Sequence, residues 1–122
     1  MEGRNDMEFG FWKYKNNAYL DNQEVYENLS NGNHVEGLEC LPVQQILLDF
    51  ENVFAGWEEL SPLDYESLNG SFQIFTTPQF VRVDCYSMSE IHINKVMDIL
   101  LNHNCPLYDP QILERFDLFK ED

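Results

Sequence analysis

Basic side chains are what this sequence has least of. Seven Lys and Arg stand against 22 Asp and Glu, a net charge of −15 over 122 residues. The shortage is uneven. Residues 1–15 hold three acids and three bases, and residues 82–122 hold eight acids and four bases. Residues 16–81, between them, hold eleven acids and no base. Such an imbalance argues against nucleic acid or an anionic membrane as a direct partner, because both are gripped by positive charge. Some of the acidity serves solubility. The rest repels itself at a cost to folding, which a basic partner relieves.

Other absences exclude whole classes of protein. No apolar run approaches the roughly 20 residues that span a bilayer. The opening "MEGRNDMEFG" has neither a basic nor an apolar targeting region, so a cytoplasmic location is expected. Cys40, Cys85 and Cys105 are odd in number and irregular in spacing, which indicates reduced thiols rather than a disulfide framework. The six glycines are scattered, and neither a P-loop nor a dinucleotide fingerprint is present. A G-x-S-x-G elbow is also missing. His103 and Cys105 lie two apart, but no second pair has ligand spacing, so neither a metal nor a cofactor is expected. Glu58 and Asp64 offer a carboxylate pair for acid–base work, yet acids in an acidic protein are commonly just solvated. The expectation is a protein that is not an enzyme.

What is present suits one folded domain over 1–122, with 43% apolar and 14% aromatic residues. "EFGFWKYK" (8–15) alternates as a strand, with Phe9 and Phe11 on one face and Trp12 and Tyr14 on the other. Asp21 and Glu24 form a capping-box pattern for a helix over about 22–30, stopped at Gly32. Pro42 suits the first position of a second helix, whose stripe is Ile46, Leu47, Phe50, Val53 and Phe54 and whose stop is Gly56. Asp49 and Glu51 fall off that stripe and are expected to be solvated. Ser61, Pro62, Leu63 and Asp64 read as the start of a short third helix, with Asn69-Gly70 as its stop.

"SFQIFTT" and "QFVRVDCYS" flank Pro78 as a hairpin, with Val81, Val83 and Cys85 on one face and Arg82, Asp84 and Tyr86 on the other. Ser87 and Glu90 form a capping box for a helix to about His103, lined by Ile93, Val96, Met97 and Leu100. A short strand over Leu107–Asp109 ends at Pro110, and Asp109 is expected to accept turn hydrogen bonds. "ILERFDLF" fits strand or loop. The order predicts an α+β domain with a mostly antiparallel sheet and helices on one face. From residue 42 onward it is compatible with a ferredoxin-like half.

Binding is the remaining class. "WEELSPLDYESLNG" sets Trp57, Leu63, Tyr65 and Leu68 among Glu58, Glu59, Asp64 and Glu66. Large aromatics anchor interfaces, and a charged rim steers a partner of opposite sign. Asp21, Glu24 and Glu27 on the first helix form a second acidic group. The alternative for each residue is that the aromatics pack inward and the acids are merely hydrated.

The order "FENVFAGWEELS…GSFQIFTTPQFVRVDCYS…NCPLYDPQILERF", over roughly 50–116, resembles small acidic immunity proteins of bacterial toxin–immunity pairs. It is most similar to contact-dependent growth inhibition immunity proteins against ribonuclease toxins, and "CPLYDPQ…RF" is its most recognisable part. The resemblance implies an antidote that presents carboxylates to the basic cleft of a cognate toxin's C-terminal nuclease domain. It implies no catalytic residues. Two rival classes remain open: an acidic nucleic-acid mimic that blocks a DNA-binding or restriction protein, and a small carboxylate-based hydrolase.

Overall fold

A computed structural model of the chain describes residues 6–16, 18–61 and 63–116. They form a single α+β domain, a seven-stranded antiparallel sheet with three helices. The strands are β1 (Met7–Phe11), β2 (Glu58–Ser61), β3 (Asp64–Ser67), β4 (Gly70–Thr77), β5 (Phe80–Tyr86), β6 (Leu107–Asp109) and β7 (Glu114–Phe116). The helices are α1 (Asn22–Ser30), α2 (Val43–Val53) and α3 (Glu90–Leu101). In space the strands run β2-β3-β4-β5-β1-β6-β7. The expected ferredoxin-like half is therefore present only as β5-α3-β6 with β1 between the strands, and β2 to β5 form a meander instead.

Strand alternation divides the core in two. Phe9 and Phe11 of β1, Phe72 and Ile74 of β4, and Val81, Val83 and Cys85 of β5 point to one face. There they meet Ile46 and Phe50 of α2, Phe54 at its C-terminal cap, and Val96, Ile99 and Leu100 of α3. Phe54 and Phe72 lie 4.7 Å apart edge to face, the closest of the ring contacts that tie α2 to the sheet. On the opposite face Val25, Tyr26 and Leu29 of α1 bury against Trp12, Phe80 and Tyr108. The expectation that all helices share a face is thus corrected for α1. The cause lies in β1, where Gly10 has no side chain: a Cβ there would sit 2.8 Å from the Tyr26 ring and 3.1 Å from Phe80. The gap admits the helix.

Local grammar succeeds and fails in instructive ways. Asp21 caps α1 by accepting the Glu24 amide at 3.1 Å, which is the N-cap half of the expected capping box. Pro42 is the residue before α2 rather than its first. Val53, assigned to the buried stripe, is exposed at the helix end. For α3 the cap is Ser89, not Ser87, whose φ of 53° places it in the preceding loop. Asp109 does accept a turn hydrogen bond, from the Gln111 amide at 2.9 Å.

Candidate functional site

The stretch 57–70 is a strand hairpin, not the expected short helix. Its apolar residues Leu63, Tyr65 and Leu68 are spaced by two and three, which does not build one helical face. Asp64, Tyr65 and Glu66 alternate as a strand does, and Tyr65 pairs with Phe72 of β4. Leu68 and Asn69 become the hairpin loop, so Asn69-Gly70 works as a turn and not as a helix stop. Gly70 holds φ at 123°, and a Cβ there would lie 2.7 Å from the Met88 Cα. Pro62 lies outside the described residues.

This change of element redistributes the nominated residues. Register places Glu58, Glu66 and Asp64 on the face that α2 and α3 leave open. Glu58 stands directly opposite Glu66, and Asp64 opposite Ser61, whose hydroxyl donates to Asp64 at 3.2 Å. Glu59 and Tyr65 point the other way, toward α2. Tyr65 is only 4% exposed and stacks on Phe72 at 5.0 Å. Trp57 is half-buried on the same side, its ring 5.1 Å from Phe54 and 5.3 Å from His92. The aromatics and most of the acids, expected to share one surface, are therefore separated by the sheet. Leu68 is fully exposed and Leu63 half-buried.

The open face continues across the meander. Ser71, Gln73 and Phe75 of β4 and Arg82, Asp84 and Tyr86 of β5 share it, and so does Glu8 of β1. Arg82 is the single base that β4 and β5 contribute. Asp84 holds it in a fork of 3.0 and 3.1 Å, and Phe75 lies under its guanidinium at 5.0 Å. Burial raises the Asp84 carboxyl above its usual range, with Arg82 opposing the shift. The one cation in these strands is thus already matched, and the face keeps its negative sign. Asp84 and Glu8 join the site although neither belongs to the acidic groups that the sequence marks, and the alternation of "VRVDCYS" is the signal for Asp84.

The second acidic group lies on the same side of the sheet, because α1 packs there. Asp21 is committed to its cap, Glu27 accepts from Gln23 Nε2 at 3.0 Å, and Glu24 is exposed. Two further hydrogen bonds seat α1 against the sheet: Tyr108 to Gln23 at 2.6 Å, and Tyr26 to Glu8.

The residues considered for chemistry have structural partners. His103 bonds Asp49 at 2.6 Å and links the end of α3 to α2. Cys85 and Cys105 are buried, and burial pushes both thiols up to about 12, far from a reactive thiolate. Ser89 and His92 meet at 2.7 Å in the first turn of α3, in the open. Among the described residues no three His, Cys, Asp or Glu side chains gather as metal ligands. No described helix is long and apolar enough to cross a membrane. Compared with protein-family models, curated proteins and solved structures, the chain matches none.

Proposed function

We propose that this chain is an antidote: it binds a basic protein, a nuclease toxin domain that cleaves RNA, and covers the toxin's substrate cleft. The observation that carries the reading is the placement of Glu58 opposite Glu66, with Asp64 on the same open face. Like charges directly opposed across a ladder destabilise it. Here no Lys or Arg lies anywhere in residues 16–81 to offset them. A nuclease must present cations to phosphate, and carboxylates displayed on a rigid sheet are attracted to the same cations. Long-range attraction accelerates capture, and Phe75 and Tyr86 on the same face then help exclude water. The resemblance of 50–116 to immunity proteins points the same way.

Coexpression with the cognate toxin domain tests the reading. Cells making this chain should keep growing and keep their RNA intact. If growth stops while the chain is soluble and abundant, the reading is wrong. A nucleic-acid mimic would instead compete with DNA for a DNA-binding protein and leave the toxin active.

A further inference from the structure

A groove of about 190 Å³ runs between α2 and the β2–β3 hairpin, on the side away from the open face. Its floor is apolar, made of Leu47, Leu63 and Ile74. Glu51 of α2 stands on one wall and Glu59 of β2 on the other. Tyr65 lines it between them. That residue is 4% exposed, yet its hydroxyl forms no hydrogen bond with the described residues. The ring is packed in the core, while the hydroxyl oxygen is not sealed there and opens into the groove. Burial first, then the negative charges of Glu59 and Glu51, raise this hydroxyl above the ordinary tyrosine range. The groove thus combines an apolar floor, two carboxylates that pair with no base among the described residues, and a hydroxyl that faces into it.

We propose that this groove anchors one arginine side chain of the protein partner, a proposal that rests on the antidote reading above. The volume is below the roughly 300–1,000 Å³ of sites for whole small molecules, and suits the end of one side chain. A guanidinium is flat, weakly hydrated and carries five donors, enough to reach Glu51, Glu59 and the Tyr65 oxygen together. The methylene stem lies on Leu47, Leu63 and Ile74, as long cationic side chains do on apolar surface. Lysine offers a compact, strongly hydrated charge that matches three separated acceptors less well. Partner contacts therefore extend around the sheet edge, from the open face to the α2 side.

The probe is N-acetyl-arginine methylamide, with its neutral isostere N-acetyl-citrulline methylamide as control, followed by NMR of the intact chain. Arginine should shift the Leu47, Leu63 and Ile74 methyls and the Tyr65 ring, with millimolar affinity and about tenfold over citrulline, or about 1.4 kcal/mol. Tyr65→Phe keeps the stack on Phe72. It should weaken arginine binding several-fold without lowering the melting temperature, whereas a purely structural tyrosine would lower it. Glu51→Gln with Glu59→Gln should abolish the shifts. Equal binding of arginine and citrulline, or shifts centred on Glu58, Asp64 and Glu66, would overturn the proposal. Micromolar binding of the free amide would also overturn it, since the groove would then serve a small cation. In coexpression, full protection by a folded Tyr65→Phe/Glu59→Gln chain removes the groove from the interface and leaves the antidote reading standing. Failure of the unaltered chain to protect sinks the antidote reading itself.

Discussion

Glu58 and Glu66 face each other across the β2–β3 ladder, two carboxylates where a stable hairpin would set a carboxylate against a base. The pair is exposed, so screening keeps its cost toward the low end of roughly 0.2–1 kcal/mol. Glu66→Lys turns repulsion into a cross-strand ion pair. The isolated variant should melt slightly higher than the parent and bind the toxin domain more weakly, mainly through a slower association at low salt. If Glu66→Lys binds as fast as the parent, the open face is not the docking surface.

Salt should move stability and capture in opposite directions. Between about 0.01 M and 1 M salt the Debye length falls from about 30 Å to about 3 Å. The surplus acids in 16–81 then repel one another less, so the melting temperature of the isolated chain should rise with added NaCl. Attraction to a basic partner is screened by the same ions, and the association rate should fall. Stopped-flow capture and thermal melts over one salt series check both signs together. A salt-independent association rate would remove steering from the mechanism.

How much of this was legible beforehand depended on how local the determining interactions are. Asp21 caps α1 through a bond to the Glu24 amide that spans three residues, and the sequence marks both ends of that helix. The β4–β5 hairpin shows the period of two in its own residues, so the faces of Val83 and Asp84 were readable. The hairpin at 58–67 was not. Its local cues, Ser61 before Pro62 and Leu63, match a helix start, and the deciding contact is Tyr65 with Phe72 on the next strand. The layout of the site is hidden for the same reason: a helix would gather Trp57, Tyr65 and the acids, whereas a strand deals them to opposite faces. The position of α1 was equally hidden, because it depends on Gly10, twelve residues before the helix begins.

Gly10→Ala tests that last point. Ala is at least as good as Gly in a strand, and Gly10 is not among the positive-φ glycines, so backbone strain plays no part. The new Cβ would approach Tyr26 Cε1 and Cδ1 at 2.8 and 2.9 Å and push α1 outward. A loss of about 1–3 kcal/mol is expected, as for overpacking in a close-packed core. Hydrogen exchange should speed up in α1 more than in α2 or α3. Unchanged exchange in α1 would mean that the helix seats itself without this gap.

Gln79 is a second long-range tie. It is 3% exposed in the turn between β4 and β5, and its amide makes both bonds to one distant residue. Val35 N–H donates to Oε1 at 3.0 Å, and Nε2 donates to the Val35 carbonyl at 2.8 Å. Gln79→Leu leaves both groups of Val35 unmet, at about 1–3 kcal/mol. The Val35 amide should lose its exchange protection in the variant. Retained protection would show that another group holds the loop.

Alkali should unfold this protein through its buried thiols. Cys85 and Cys105 ionise at 9.0 when unperturbed, and burial pushes both up to about 12 in the fold. Between those values the unfolded chain releases protons that the folded chain keeps, so rising pH favours unfolding. The stabilising contribution is complete below about pH 9 and is lost as pH climbs toward 12, at up to about 1.4 kcal/mol per pH unit for each thiol. Tyr26 and Tyr65, also raised by burial, add to the loss above pH 10. Urea midpoints measured from pH 8 upward should therefore fall with a slope that Cys105→Ala makes shallower, even though the substitution lowers the midpoint at pH 8. The slope is the diagnostic quantity, because a cavity shifts every midpoint equally while a missing thiol changes only the pH dependence. An unchanged slope in Cys105→Ala would remove this thiol from the alkaline transition and leave it to Cys85 and the tyrosines.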